Sequence, residues 1–332
     1  MNDLPVLLLH NLDPAWPSSE KEVAEQEAEQ LASALRKLGH PVRAIAVCDA
    51  DLTARLKDHD PLSWVVFNWC EELPGIPHSD ALVAEILEAC GFTYTGPTPD
   101  VLRLSWDKAN MKQLLEDQAL PTPRWRICTT ADPGDWPWFP AMVKPAQEHC
   151  SFGVTTEAVV RNAGELRARI AHVLNEFRQP ALVEDFIDGR EFHVSLWGNG
   201  KVQMLPVAEM DFSRFDDVRD RLCTYESKFQ PGSRHYDGIQ TLLPAPLTDA
   251  EQDLLYRTAL SAYRAYRCRD FARLDIRLRD GVFCILDINP NPDISSDASM
   301  ACAAEAAGFS FGAMGSHLIH LAAERHPVFG RP

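Results

Sequence analysis

The stretch Phe271–Pro292, FARLDIRLRDGVFCILDINPNP, alternates side-chain types to Leu278, turns at Asp280-Gly281 and alternates again from Val282. Such a pattern predicts a β-hairpin. Side chains two residues apart share a face, so the register decides which groups meet. A two-residue turn sets Arg279 opposite Val282 and sends Asp275 and Asp287 to opposite faces. A three-residue loop with Gly281 in the left-handed region sets Leu278 opposite Val282 instead. In that register Leu274, Ile276, Leu278, Val282, Cys284, Leu286 and Ile288 make one apolar face. The other face carries Arg273, Asp275, Asp287 and Asn289, with Arg273 directly across from Asp287. The three-residue loop is therefore expected. Two carboxylates and an amide are oxygen-ligand chemistry for Mg2+, and a guanidinium beside them suits phosphate or another oxyanion. A half-solvated strand pair with surface ion pairs would use the same residues, so this stretch alone leaves both readings open.

At 332 residues the chain is long for one compact core and suggests two or three domains. Its 45% hydrophobic and 24% charged residues are ordinary for a globular protein. A formal net charge of −16 argues against nucleic acid or an anionic membrane as partner. Any phosphate site must then be a local basic pocket within an acidic shell. Nine cysteines without a CxxC pair suit a reducing compartment. The opening MNDLPVLLLH has no basic n-region and too short an apolar run for a signal peptide or membrane span. A cytoplasmic protein is expected.

The first hundred residues alternate strand and helix signals: Val6–His10, Ser18–Leu38, Val42–Val47, Trp64–Trp69 and Asp80–Cys90. This order predicts a small parallel sheet covered by helices. The turn-rich Thr95–Pro99 marks a boundary. Beyond it come a helix from Asp107 to Asp117, a strand at Ala141–Lys144, a loop to Gly153 and a helix from Ala163 to Phe177. Strands follow at Ala181–Phe186 and Glu191–Leu196. The polar segment Asp211–Gly238 has no periodicity and reads as a long loop, a natural lid. Helices Asp249–Tyr266 and Phe309–Arg325 flank the hairpin region.

Two lysines stand out. Lys144 ends a strand before a loop containing His149, Ser151 and Gly153, where hydroxyl and backbone N–H groups can close over phosphate. Lys108 opens a helix, against the positive end of its dipole, where an anion would compensate it. Glu184 and Glu191 flank the turn between two strands, a setting for ribose hydroxyls or merely a solvated turn. Lys228 falls in the polar segment. No GxSxG elbow, Walker loop, GxGxxG or HExxH occurs, which removes the usual support for hydrolase, P-loop, dinucleotide and zinc-protease readings.

In order, these pieces resemble the ATP-grasp superfamily and, within it, the D-alanine–D-alanine ligase branch. The carriers are Asp107-Lys108 with Leu120-Pro-Thr-Pro, Val143-Lys-Pro-Ala with Ser151 and Gly153-Val154, and Leu182 through Phe192. Tyr225-Glu-Ser-Lys228, Ala272-Arg-Leu-Asp275 and Leu286-Asp-Ile-Asn-Pro-Asn-Pro292 complete the series. The resemblance implies an α/β protein, α+β in its ATP-grasp part, in which two antiparallel sheets sandwich ATP. Its expected domains are 1–98, a parallel α/β domain; 99–183, the central subdomain; and 184–332, the C-terminal subdomain with the metal-binding hairpin.

The resemblance also implies roles. Lys108, Lys144 and Ser151 are expected on the nucleotide phosphates, Glu184, Asp185, Phe186 and Ile187 along adenine, and Glu191 on ribose. Lys228 would be a lid lysine, and Arg273 would steady an acyl phosphate. Asp275, Asp287 and Asn289 would hold two Mg2+ ions, with Mn2+ as a substitute. The activity implied is ATP-dependent ligation of an amino-acid-like carboxylate to an amine, in an assembly compatible with a homodimer. Its alternatives are an ATP-binding protein of the same fold without turnover, a kinase-like enzyme, and D-alanine–D-alanine ligase proper.

Three departures separate this chain from that family. Asp287 stands where a glutamate is usual, Leu9-His-Asn-Leu-Asp-Pro14 lacks the glycine-rich turn and glutamate, and Asn291-Pro-Asp293 replaces a Ser-Pro-Gly turn. Asp293 and Asp297 are therefore expected near the substrate, where they suit an ammonium-bearing acceptor.

Overall fold

A computed structural model describes residues 3–149 and 151–330; the side chains of Lys228 and Phe229 lie outside that description. The chain opens with β1 (Val6–Asn11), α1 (Ser18–Lys37), β2 (Val42–Val47), α2 (Leu52–Leu56), β3 (Val65–Trp69), α3 (Asp80–Ala89) and β4 (Thr93–Tyr94). The strands form a parallel sheet in the order β2-β1-β3-β4. β1 reads VLLLHN because both faces are covered: Leu7 and Leu9 pack towards α2 and α3, while Val6 and Leu8 pack on the other side with α1.

Next come α4 (Pro99–Ser105) and α5 (Lys108–Asp117), then β5 (Trp125–Cys128), β6 (Ala141–Pro145), β7 (Val159–Val160), α6 (Ala163–His172) and β8 (Ala181–Asp185). These four strands pair antiparallel as β5-β8-β6-β7. Val143 and Val183 bury one face of the sheet against Leu166 and Ile170 of α6. The intervening positions Lys144 and Glu184 turn to the opposite face, the side of a cavity.

A larger sheet follows. Its strands are β9 (Arg190–Trp197), β10 (Gln203–Met204), β11 (Ala208–Asp211), β12 (Gln240–Leu242), β13 (Phe271–Arg279) and β14 (Val282–Asn289). The order is β12-β11-β9-β13-β14, with β10 beside β9. The segment expected to be a loop contains the two short helices α7 (Tyr225–Phe229) and α8 (Arg234–Gly238). α9 (Asp249–Ala265) begins with a capping box between Thr248 and Glu251. Phe192, Val194, Leu274, Ile276 and Ile288 bury one face of the sheet against α9 and against Met111 and Leu115 of α5. α10 (Ser299–Ala306) and α11 (Phe311–Ala323) then return to the first sheet, where Met314, Leu318 and Ile319 complete the core around Leu31 and Leu35. Gly312 permits this return, since a Cβ there would lie 2.9 Å from the Cβ of Ala34. Among the described residues no helix is long and apolar enough to cross a membrane.

The hairpin corrects the expected register. Asp280 and Gly281 both have positive φ (53° and 76°), so the turn has two residues and Arg279 faces Val282. Phe283 and Ile285 enter the core, Cys284 is half-buried and Val282 is exposed, the reverse of the predicted apolar face at this end. Between Ile285 and Asp287 the register shifts, leaving Leu286 as the extra residue of a β-bulge. The shift by one residue exchanges the faces beyond it. Asp287 therefore lies across from Asp275, and Arg273 across from Asn289 rather than Asp287. The predicted group of four does share a face, through a bulge rather than a longer loop.

The tight entry to β9 sets a constraint. A Cβ on Gly189 would lie 2.0 Å from the carbonyl oxygen of Leu278 in the neighbouring strand. Gly189→Ala should destabilise the protein by about 1–3 kcal/mol, as a backbone group must move. Urea unfolding measures this, and an unchanged midpoint would contradict the close approach.

Candidate active site

The polar face of the large sheet meets Lys108, Lys144 and Glu184 across a cavity. In-register neighbours on adjacent strands point to the same side. Glu191 of β9 therefore lies beside Arg277 of β13, His193 beside Asp275, and Asp275 beside Asp287. Arg273 grips Asp275 with Nε–Oδ1 2.8 Å and Nη2–Oδ2 3.2 Å. Lys108 Nζ donates to Asp287 Oδ2 at 3.1 Å. Burial alone would raise the pKa of Asp287, but Lys108, Lys144 and His149 hold it well below the ordinary carboxylate value. Burial, reinforced by Lys108, pushes His149 down to about 4, so its ring is neutral near pH 7.

Glu184 lies between two ammonium groups, Lys112 Nζ at 2.5 Å from Oε1 and Lys144 Nζ at 2.6 Å from Oε2. Desolvation opposes its charge, but the lysines lower its pKa from 4.5 to about 2. Lys112 is fully buried and also donates to the carbonyls of Ile285 (3.3 Å) and Leu286 (3.0 Å). Thr122 Oγ donates to the same Ile285 carbonyl at 2.9 Å. These are the carbonyls at the bulge, so Lys112 stabilises the kink that brings Asp287 to Asp275.

The other predicted residues distribute as follows. Ser151 has a left-handed backbone (φ 59°), and its hydroxyl donates to the Cys223 carbonyl at 3.2 Å. Asp185 pairs with Arg279 at 2.6 Å. Phe186 lies under the Arg277 guanidinium, 4.7 Å from ring centroid to Cζ, and the Ile187 carbonyl accepts from Arg277 Nη1 at 2.7 Å. Glu191 accepts from Arg277 Nε at 2.7 Å. Asn289 accepts from the Asn291 N–H at 3.0 Å, and Asp293 accepts from the Ser295 N–H at 2.9 Å. Asp297 is exposed. Lys228 belongs to α7, but its side chain lies outside the described residues.

Several residues of the site escaped the sequence reading although a signal was present. Lys112 follows Lys108 by four residues, one helical turn on the same face. Arg277 continues the Arg273, Asp275 series at period two. Glu71 follows the carboxyl end of β3, the edge of a parallel sheet at which ligands bind. Solvent reaches Glu71, yet the surrounding protein and then Asp293, Asp80, Glu72 and Glu27 push its pKa up to about 7. Glu27 is raised by desolvation and by Asp293 and Asp297. These acids therefore lie near enough to one another to interact electrostatically, at the carboxyl edge of the first sheet.

The family model for the D-ala D-ala ligase C-terminus matches residues 124–320. An uncharacterised protein of Sinorhizobium fredii, y4sG, is 32% identical over 309 residues, covering 90% of this chain and 88% of its own. A D-alanine–D-alanine ligase of Pseudothermotoga lettingae is 30% identical over 296 residues, covering 89% and 92%. The D-alanine–D-alanine ligase of Bacillus anthracis, solved in complex with ATP, shares the fold with a TM-score of 0.74 at 20% identity, covering 97% and 98%. By class, then, the protein is an ATP-grasp enzyme that uses ATP to form carbon–nitrogen bonds between a carboxylate and an amine. It belongs to the D-alanine–D-alanine ligase family.

Lys112→Met leaves Glu184 one counter-ion short and uncaps two carbonyls, with an expected loss of about 3–5 kcal/mol in urea unfolding. Because Glu184 falls from 4.5 to about 2 on folding, its contribution is present above pH 4.5 and is lost as pH falls towards 2. The deficit of the variant should shrink over that interval; a deficit independent of pH would contradict the pairing.

Proposed function

We propose that the enzyme transfers the γ-phosphoryl group of ATP to an amino-acid-like carboxylate and then joins the acyl group to a cationic amine acceptor. A carboxylate oxygen of the first substrate forms a bond to the γ-phosphorus as the bond to the bridging oxygen breaks and ADP leaves. The neutral amine nitrogen of the second then attacks the acyl carbon, and inorganic phosphate departs. The observation that carries this reading is the row Arg273, Asp275, Asp287 and Asn289 on one sheet face, opposite Lys108 and Lys144.

The residues take the following roles. Lys108 and Lys144 bind phosphate oxygens and Ser151 adds a hydroxyl from its loop. Glu191 holds the ribose hydroxyls, and the strand linker Glu184–Ile187 lies along adenine. Arg273 binds the acyl phosphate and the oxyanion formed during attack. Lys228, which corresponds to the family's lid lysine, is assigned to the transferred phosphate. Asp275, Asp287 and Asn289 offer five side-chain oxygens from facing strands, a donor set that fits two Mg2+ ions. When bound, such ions neutralise phosphate charge. A cytoplasmic setting suits nine cysteines without a CxxC pair.

The converging acids Glu27, Glu71, Asp293 and Asp297 favour an acceptor that carries positive charge beyond its reacting amine. A small neutral side chain such as that of D-alanine would leave these charges unmatched. We therefore place the substrates among cationic amino acids or diamines rather than D-alanine pairs.

ADP release should rise only when a carboxylate and a cationic amine are supplied together with Mg2+. Across a panel of pairs, no stimulation would sink the ligase proposal, and a stable phosphorylated product without amine would make the enzyme a kinase. Asp287→Asn should lower turnover of the best pair by at least about 100-fold. Glu71 sits near pH 7 because charge is unfavourable there, so it ionises as pH rises and KM for the acceptor should fall through that pH. Glu71→Gln should flatten this dependence; an unchanged profile would remove Glu71 from the acceptor site.

A further inference from the structure

Glu191 and His193 stand two residues apart on β9 and so share a face, while Cys223 comes over them from the segment between β11 and α7. One ligand atom from each, a carboxylate oxygen, a ring nitrogen and a sulfur, lies within 4.8 Å of the other two. Glu191 and His193 are buried, and Cys223 is half-buried.

Neighbouring groups orient two of the three. Arg277 Nε donates to Glu191 Oε2 at 2.7 Å, which directs Oε1 towards His193 Nε2, 3.9 Å away. Ser299 Oγ sits 3.1 Å from His193 Nδ1, so the other ring nitrogen, Nε2, is the one turned to Glu191. Such outer contacts are the usual means of fixing the tautomer and direction of a metal-binding histidine.

We propose that Glu191, His193 and Cys223 form a Zn2+ site that competes with the nucleotide. The donor set decides the ion. Thiolate and imidazole suit Zn2+ and are poor ligands for Mg2+, which takes oxygen ligands. A tetrahedral zinc ion holds its ligands roughly 3.5 Å apart. The present spacing, within 4.8 Å, exceeds that by little more than about 1 Å, and three protein ligands leave one position for water. This site differs from the Asp275, Asp287 and Asn289 set in ligand chemistry. Competition rests on the assignment of Glu191 to ribose made above, since one carboxylate cannot hold zinc and sugar hydroxyls together.

Calorimetry with Zn2+ alone, on the full chain without nucleotide, tests the site. One ion per chain should bind with a Kd of about 1 μM or tighter. Co2+ should produce thiolate-to-metal charge-transfer absorbance, and Cys223→Ala should abolish that band and weaken Zn2+ binding at least about 10-fold. Equal melting temperatures without metal establish that the variant is folded. Persistence of the band, or undiminished Zn2+ affinity in Cys223→Ala, would overturn the site. Competition is read with adenosine, which carries the ribose but no phosphates to chelate zinc. Zn2+ should raise the apparent Kd of adenosine in the native chain and have no effect in Cys223→Ala. Zinc binding with the band, but without competition, would overturn the nucleotide linkage and the ribose role of Glu191 while the ligase reading stands.

Discussion

A buried ammonium group at Lys112 connects the parts of the site. It neutralises Glu184 of the central sheet and donates to the carbonyls of Ile285 and Leu286 in the hairpin. Removing a charge from water is costly, and only several strong partners repay that cost. Lys112 has them, although burial still lowers its pKa below the ordinary lysine value. The same interactions place Lys144 against Glu184 and allow the bulge that sets Asp287 beside Asp275. Lys144 and Asp287 thus derive their positions from one group that does not line the cavity.

Around this link the molecule separates packing from chemistry by strand period. Leu274, Ile276 and Ile288 fill the core beneath the large sheet, and the residues between them form the polar face. The rigid apolar side fixes the sheet against α5 and α9, so charged side chains on its other side need little reorganisation of their own. Arg277 illustrates this. It is almost fully buried, donates to Glu191 and Ile187, and stacks over Phe186 and Phe212. Its guanidinium thereby organises both the linker strand and the carboxylate beside it.

The order of elements and the gathering of Arg273, Asp275, Asp287 and Asn289 were legible because they depend on local period and on turn chemistry. The hairpin register was not. A bulge changes the count on one strand, and periodicity cannot distinguish it from a longer loop when both join the same four residues. What separated them was tertiary: Phe283 and Ile285 had a core to enter, and Lys112 was available to satisfy the displaced carbonyls. The grouping of acids was hidden for a related reason. Glu27, Glu71 and Asp293 are distant in sequence and meet only after the parallel sheet docks beside the hairpin. Asp293 and Asp297 drew attention, because they follow the asparagine expected to bind metal.

The return of α11 to α1 has a consequence for how the chain comes off the ribosome. One wall of the first sheet's core is incomplete until Met314, Leu318 and Ile319 arrive. About 270 residues separate the two helices, which at bacterial or eukaryotic elongation rates means roughly 15–55 s between their synthesis. During that interval Val6, Leu8, Val65 and Phe67 are covered on that side by α1 but not by α11. The nascent chain thus carries an apolar surface for most of its own translation, a demand on chaperones imposed by the path of the backbone rather than by the chemistry of the site.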